Sequence, residues 1–409
     1  MGTRIARATD AVYQAMKRSQ RWFLAPRYEE LRLRQRWLRR DPAARYEERV
    51  FPVALPPESI GSVLVFKPDE IGDAVHALPA IVELRRHLPH ARFFLLCRAL
   101  TRPLYERSGL FDEISEFESG SKLRPRFRSL RDALARFSVA EFDLSVYLRT
   151  NPTTFGRFAS IPSRARLHPL DPRMRSKSPY QAPVSLWTDE RKHQALQLLE
   201  IVALLTRRSY SFADVRYPAL HWTDEDKRAT GRVFGTDDLA PYLVVHPFAK
   251  EETRRYPAEY WTPLLQTLLD EVELPIVSIG GPEDGSLPEL PGLVQMQGQL
   301  TIGETGYLLS RASGFVGNLS GPAHLSAAIG TPTVTLMSGN SLPGEWAPLG
   351  DSLVIRAEVP CSPCHRRFCA GYGLACLREL TPQRISEQVV SSLRSRVSQE
   401  QGAPVPTGL

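Results

Sequence analysis

The pattern that most constrains this chain is its alternation of short apolar runs with helical stretches. From Ser62, SVLVFK reads as a strand, PDEIGD as a polar turn, the stretch with Ala77, Leu78, Ala80, Ile81 and Leu84 as a helix, and ARFFLLCR as a second strand. That is a β-α-β unit. FDLSVYL adds a strand, and a helical stretch runs from about His193 to Leu205. The second half repeats the logic: strand YLVVHPFA, helix AEYWTPLLQTLLDEV, strand PIVSIGG, helix GETGYLLSRA, strand GFVGN, helix PAHLSAAIG, strand PTVTLMS. Strands joined through helices pair in parallel, and a parallel sheet needs both faces covered. A chain of 409 residues exceeds one ordinary core. The expectation is therefore an α/β protein of two Rossmann-like domains, their parallel sheets facing across a cleft that is the default ligand site. Residues 206–240 mix charge, Gly, Thr and Pro without periodicity and hold the junction. The expected divisions are a basic helical extension over 1–55, a first domain over 56–222, a second over 223–380, and a helix with a frayed tail over 381–409.

Charge is unevenly placed. Of a net +7, residues 1–49 carry 13 Lys and Arg against 6 Asp and Glu, with Trp22, Phe23, Leu24, Leu31, Leu33, Trp37 and Leu38 among them. Such an arm suits an anionic membrane surface or a partner, or a helix packed on its own protein with a solvated basic face. No nucleic-acid motif accompanies the charge, so nucleic acid is the weaker reading and is not expected as a partner. The chain lacks an apolar run of membrane-spanning length and a signal-type N-terminus, so it is expected to be cytoplasmic, peripheral on the inner membrane if the arm docks there.

Polar chemistry concentrates at three places. In GFVGNLSGPAHLSAAIGTPTVTL, Ser320 and Gly321 open a helix whose unpaired N–H groups and positive dipole end suit a phosphate. Pro322 fits the first turn, and Ala323, Ala327 and Ala328 let the helix press on a sheet. An ordinary helix start reads equally well from this segment alone. After YLVVHPFA come Lys250, Arg254 and Arg255, cations that can balance a diphosphate or simply be solvated. Gly280, Gly281 and Glu283 follow the next strand, where ribose and base usually lie. Four of five cysteines run Cys361-x2-Cys364-x4-Cys369-x6-Cys376. In a reducing compartment that spacing reads as a tetrahedral site for structural Zn or Fe rather than disulfides, with free buried thiols as the alternative. Cys97, in a strand, reads as core.

Together, FKPDEIGDAVHALPAIVELRRHLP, HPFAKEETRRYPAEYW, GFVGNLSGPAHLSAAIGTPTVTLM and PCSPCHRRFCAGYGLACL resemble glycosyltransferase family 9, the ADP-heptose heptosyltransferases, over roughly residues 60–395. The resemblance implies a GT-B fold, acceptor on the first domain and nucleotide-diphosphate sugar on the second, with no cofactor for catalysis. It makes Asp73 the catalytic base of an inverting transfer, ahead of Asp69 and Glu70; capping the helix is the alternative role for Asp73. It assigns Arg254 or Arg255 to phosphate, and Asn318, Ser320, Gly321 and His324 to the donor site, although His324 alone reads as a packed histidine. Arg98, Arg102, Arg149 and Arg157 follow or flank first-domain strands, where they and the basic segment Lys122 to Arg136 are expected to meet an anionic acceptor, with surface solvation as the alternative reading. Similar cysteine clusters in part of the family are described as iron-binding. One position departs: Leu319 stands where the family usually has Asp. The expected reaction is transfer of heptose or a related sugar to a lipopolysaccharide-core-like glycan. A protein acceptor of autotransporter type, or a non-catalytic sugar-nucleotide scaffold, are the other readings.

Overall fold

The structure is a computed structural model and describes residues 56–117, 130–149, 154–169, 181–184, 192–206, 208–235, 241–369 and 371–402. The basic arm 1–49, part of the segment Lys122 to Arg136 and the tail beyond residue 402 lie outside the described residues. The chain divides into two compact units, with the boundary between His221 and Trp222.

The first unit carries six strands: β1 (Ser62–Lys67), β2 (Arg92–Cys97), β3 (Glu113–Glu116), β4 (Phe142–Tyr147), β5 (Ser163–Pro169) and β6 (Gln181–Val184). They pair in the order β3-β2-β1-β4-β5-β6, every pairing parallel. One apolar cluster gathers Phe66, Phe94, Phe142, Tyr147, Phe155 and Phe158. The helix Ile71–His87 buries Ala74, Val75, Ala77, Leu78, Ala80, Ile81 and Leu84 and packs against the helix Gln194–Thr206. Arg85 and Arg86 lie in its last turn, where cations meet the negative dipole end.

The second unit repeats this plan with β7 (Leu243–His246), β8 (Ile276–Ser278), β9 (Leu293–Gln295), β10 (Gly314–Asn318), β11 (Thr333–Leu336) and β12 (Ser352–Ile355). The order is β12-β11-β10-β7-β8-β9, again all parallel. Its core joins Leu243, Val245, Val316 and Leu336 to Trp261, Leu264 and Leu268 of the helix Ala258–Val272 and to Ile385 and Val389 of the helix Pro382–Gly402. Counted from its own first strand, the second sheet has the same order as the first. Strand order therefore reverses between β1 and β4 in one unit and between β7 and β10 in the other. In open parallel sheets the crevice beyond the carboxyl ends at such a reversal is where ligands bind. Short strands with polar or charged positions, such as β3 (EISE) and β9 (LVQ), form sheet edges that the sequence pattern did not distinguish.

Candidate functional site

At the reversal of the first sheet, β1 ends in Lys67, which is only 1% exposed. A buried ammonium is tolerated only with a partner, and Lys67 Nζ lies 2.7 Å from Asp69 Oδ2. From just beyond the end of β4, Arg149 Nη2 reaches Asp69 Oδ1 at 2.7 Å. Arg149 Nη1 donates to Thr154 Oγ1 at 2.6 Å, and the Tyr147 hydroxyl bonds the same oxygen at 3.1 Å. The Lys67, Asp69 and Arg149 network thus bridges the two strand ends.

Asp73 sits in the first turn of the helix that follows, partly exposed, and the N-cap position belongs to Glu70. The surrounding protein desolvates the Asp73 carboxyl and pushes it above the usual carboxylate range; Lys67 and Arg149 pull the other way, while Asp69 and Glu70 add to the rise. A carboxylate so raised is a better proton acceptor near neutral pH than an ordinary one. Of the arginines expected to meet an acceptor, Arg149 holds Asp69, and Arg98 pairs with Glu70 at 2.7 Å. Both therefore belong to the Asp73 turn. Arg157 instead lies over the Phe117 ring, 5.4 Å from its centroid. Lys67 was not singled out from the sequence; the signal was a lysine closing an otherwise apolar strand.

At the reversal of the second sheet, His246 ends β7 and Ser320 follows β10, and Ser320 Oγ lies 3.0 Å from His246 Nδ1. Burial pushes the His246 imidazole down to about 4, so it is neutral at physiological pH. Ser320 is the N-cap of the helix Gly321–Ala328, with Pro322 in its first turn. Its own hydroxyl is engaged by His246 and makes no cap bond. The first turn of the helix thus has no side-chain cap, which suits an anion site there. Ala323 and Ala327 are buried, as the small-residue face predicts. His324 is buried within the same helix.

Asn318 is fully buried and is occupied by the backbone: its Nδ2 donates to Pro247 O at 2.8 Å, and its Oδ1 accepts from Tyr256 N at 3.0 Å. It fixes both ends of the segment that carries Lys250, Arg254 and Arg255. Arg255 bonds the Ala249 carbonyl through Nε and Nη2, at 3.1 and 2.7 Å. Arg254 lies 3.3 Å from Glu251 through Nε. Lys250 is exposed. Gly280 follows β8 in a position where a Cβ would come within 2.9 Å of both Phe248 and Asp284, so the residue must be glycine for this turn to close. Gly281 N donates to Asp284 Oδ2 at 2.8 Å, which makes Asp284, rather than the exposed Glu283, the turn's anchor. Leu319 is 4% exposed, and its N–H bonds Leu336 O at 3.2 Å, so this position points an apolar side chain into the protein.

The four-thiolate ion site expected from the cysteine spacing is not assembled. Among the described residues no group of three or more His, Cys, Asp or Glu is gathered to hold a metal ion. Backbone N–H groups bond the sulfurs of Cys364, Cys369 and Cys376. Burial works against the Cys369 thiolate, yet N–H bonds from Leu374, Tyr372 and Gly371 bring it below the ordinary thiol range. Burial raises Cys364 and Cys376, and the neighbouring cysteines add to the rise of each. Cys97 is buried in β2 as expected of core.

Residues 171–373 match the family described as Glycosyltransferase family 9 (heptosyltransferase). The chain is 21% identical over 347 residues to the lipooligosaccharide heptosyltransferase 2 of Campylobacter jejuni, which spans 81% of this chain and 98% of that one. Its fold matches the ADP-heptose LPS heptosyltransferase II of E. coli with a TM-score of 0.62 at 20% identity, over 82% of this chain and 99% of that one. It also matches the dodecameric iron-containing heptosyltransferase TibC in complex with ADP-D-beta-D-heptose, with a TM-score of 0.51 at 13% identity, over 82% and 77% of the two chains. Two Rossmann-like units with parallel sheets give this chain the GT-B fold of these structures, and the family-model match with the heptosyltransferase relatives makes it a glycosyltransferase. Within that class it is similar to glycosyltransferase family 9, the heptosyltransferases, with residues 171–373 matching that family.

Proposed function

We propose that the chain transfers heptose, or a related sugar, from ADP-heptose or another nucleotide-diphosphate sugar to a lipopolysaccharide-core-like glycan, with inversion at the anomeric carbon. The observation that carries this reading is the Asp73 carboxyl, raised above its usual range beside the Lys67, Asp69 and Arg149 network. In the proposed step Asp73 takes the proton of the acceptor hydroxyl as its oxygen attacks the anomeric carbon, and the bond to the diphosphate breaks. General-base help of this kind contributes roughly 10²–10⁴ in rate. The diphosphate leaves with negative charge, which the N–H groups opening Gly321–Ala328 and the cations Lys250, Arg254 and Arg255 balance. Arg98 and Arg149 orient an anionic acceptor against the same turn. The donor reading draws on the heptosyltransferases with similar folds, one of them bound to ADP-D-beta-D-heptose. Calorimetry with ADP, ADP-heptose, UDP and GDP tests the donor: selective binding of ADP and ADP-heptose is expected, and selective UDP or GDP binding would replace it.

A structural Zn or Fe ion on Cys361, Cys364, Cys369 and Cys376 is a second, separate proposal. Its support is the N–H···S bonding of the loop, which suits thiolates, and the iron-containing protein of similar fold. The loop would have to close for the sulfurs to share an ion. Elemental analysis of purified protein should then find about one metal per chain.

A further inference from the structure

The turn that carries Arg254 is joined to two distant segments through buried polar side chains. Thr253 and Asn340 are 3% and 4% exposed. Thr253 Oγ1 and Asn340 Nδ2 both donate to the Arg366 carbonyl, and Asn340 Nδ2 also reaches Thr253 Oγ1 at 3.1 Å. Asn340 Oδ1 accepts from Arg254 Nη2 at 3.5 Å. Around this centre, Thr253 N donates to Arg367 O at 3.4 Å, His365 N to Asn340 O at 2.8 Å, and Cys364 N to Gly339 O at 3.0 Å. Glu251 forms ion pairs through its two oxygens, one 3.3 Å from Arg254 Nε and the other 3.4 Å from Arg367 Nε. Three pieces of chain meet here: the turn after β7, the loop after β11 and the cysteine loop.

A free arginine side chain samples many rotamers, whereas a planar guanidinium that is ion-paired on one edge and hydrogen-bonded at Nη2 has less freedom to lose when it meets a ligand. Glu251 supplies the charge pairing beside Nε, and Asn340 supplies the hydrogen bond at Nη2. We propose that Asn340 is a positioning residue for the donor diphosphate, clamping the Arg254 turn to the cysteine loop so that Arg254 is aimed before the ligand arrives. The proposal rests on the assignment of Arg254 to the diphosphate. It gives the cysteine loop a task in donor binding, as the strut against which that turn is braced.

The test is a double-mutant cycle read by calorimetry with two probes, ADP and adenosine. Asn340→Ala is expected to weaken ADP binding about tenfold and adenosine binding less than about twofold, because only the phosphates use Arg254. Combined with Arg254→Ala, it should weaken ADP binding no further than Arg254→Ala alone, since its effect passes through that guanidinium. Thr253→Val removes the hydroxyl at nearly constant volume and should act in the same direction; it carries the test if Asn340→Ala does not fold. Equal losses for ADP and adenosine, or additive losses in the double variant, would overturn the positioning role. Unchanged ADP binding in Asn340→Ala, with Arg254→Ala impaired, overturns this proposal alone. If Arg254→Ala itself leaves ADP binding unchanged, the diphosphate assignment fails and takes the proposal with it.

Discussion

A lysine at the buried end of an apolar strand needs a carboxylate, and the carboxylate that Lys67 finds, Asp69, is also one of the charges acting on Asp73. The two neighbours push Asp73 in opposite directions, so their removal should have opposite signs. Lys67→Met withdraws a positive charge that lowers the Asp73 carboxyl, and the acid limb of the rate profile should move to higher pH. Asp69→Asn withdraws a negative charge that raises it, and the limb should move to lower pH. The position of the limb is the readout, because breaking a buried pair costs about 3–5 kcal/mol and reduces the amount of folded protein. Shifts of the same sign in both variants would remove Asp73 from the rate-limiting proton transfer. His246 makes a separate prediction about stability. Its imidazole is pushed down to about 4 in the folded protein, against about 6.5 unfolded. Between those values the unfolded chain binds the proton and the folded one does not, so stability falls as pH drops through that window. The full effect is about 3 kcal/mol at 1.36 kcal/mol per unit. Thermal melts of His246→Asn should show a shallower decline from pH 6.5 to 4 than the unsubstituted protein.

At the scale of elements, the strand β10 is set by what its glycine permits. A Cβ on Gly317 would stand 2.8 Å from the His246 carbonyl and 2.8 Å from the Phe315 ring. Gly317→Ala must therefore part β10 from β7, the two strands whose ends carry Ser320 and His246. A loss of about 1–3 kcal/mol in chemical denaturation is expected, as for overpacking in a close-packed core; full stability would mean the strands can separate freely. The helix opening at Ser320 was legible in the sequence because its signals are local: a small N-cap, Pro in the first turn and an alanine face. The Asp73 turn was legible for the same reason. Other contributions carry no local mark. Asn318 reads as a ligand contact beside Ser320, yet its amide is taken up by Pro247 and Tyr256, far along the chain. Asn340 draws its meaning from Thr253, Arg254 and Arg366, which only folding brings near. The edge strands β3, β9 and β12 are three or four residues long, too short for alternation to declare itself.

For the whole molecule, one sheet order occurs twice, and the two copies carry different chemistry at the same topological place. The reversal between β1 and β4 holds a carboxyl raised by its surroundings. The reversal between β7 and β10 holds an uncapped helix start and a neutral histidine, with cations on the following loop. A proton acceptor and an anion cradle make opposite demands on local charge, since a cation strong enough to bind a diphosphate would also depress a nearby carboxyl. In the proposed mechanism, separate sheets meet both demands. The division predicts that damage to one function leaves the other intact. Asp73→Asn should lower the transfer rate by roughly 10²–10⁴ while ADP affinity in calorimetry stays within about twofold. Arg254→Ala should do the reverse, weakening ADP binding while the acid limb of the rate profile keeps its position at saturating donor. Loss of ADP affinity in Asp73→Asn, or a displaced limb in Arg254→Ala, would show that proton transfer and diphosphate binding are not carried by separate sheets.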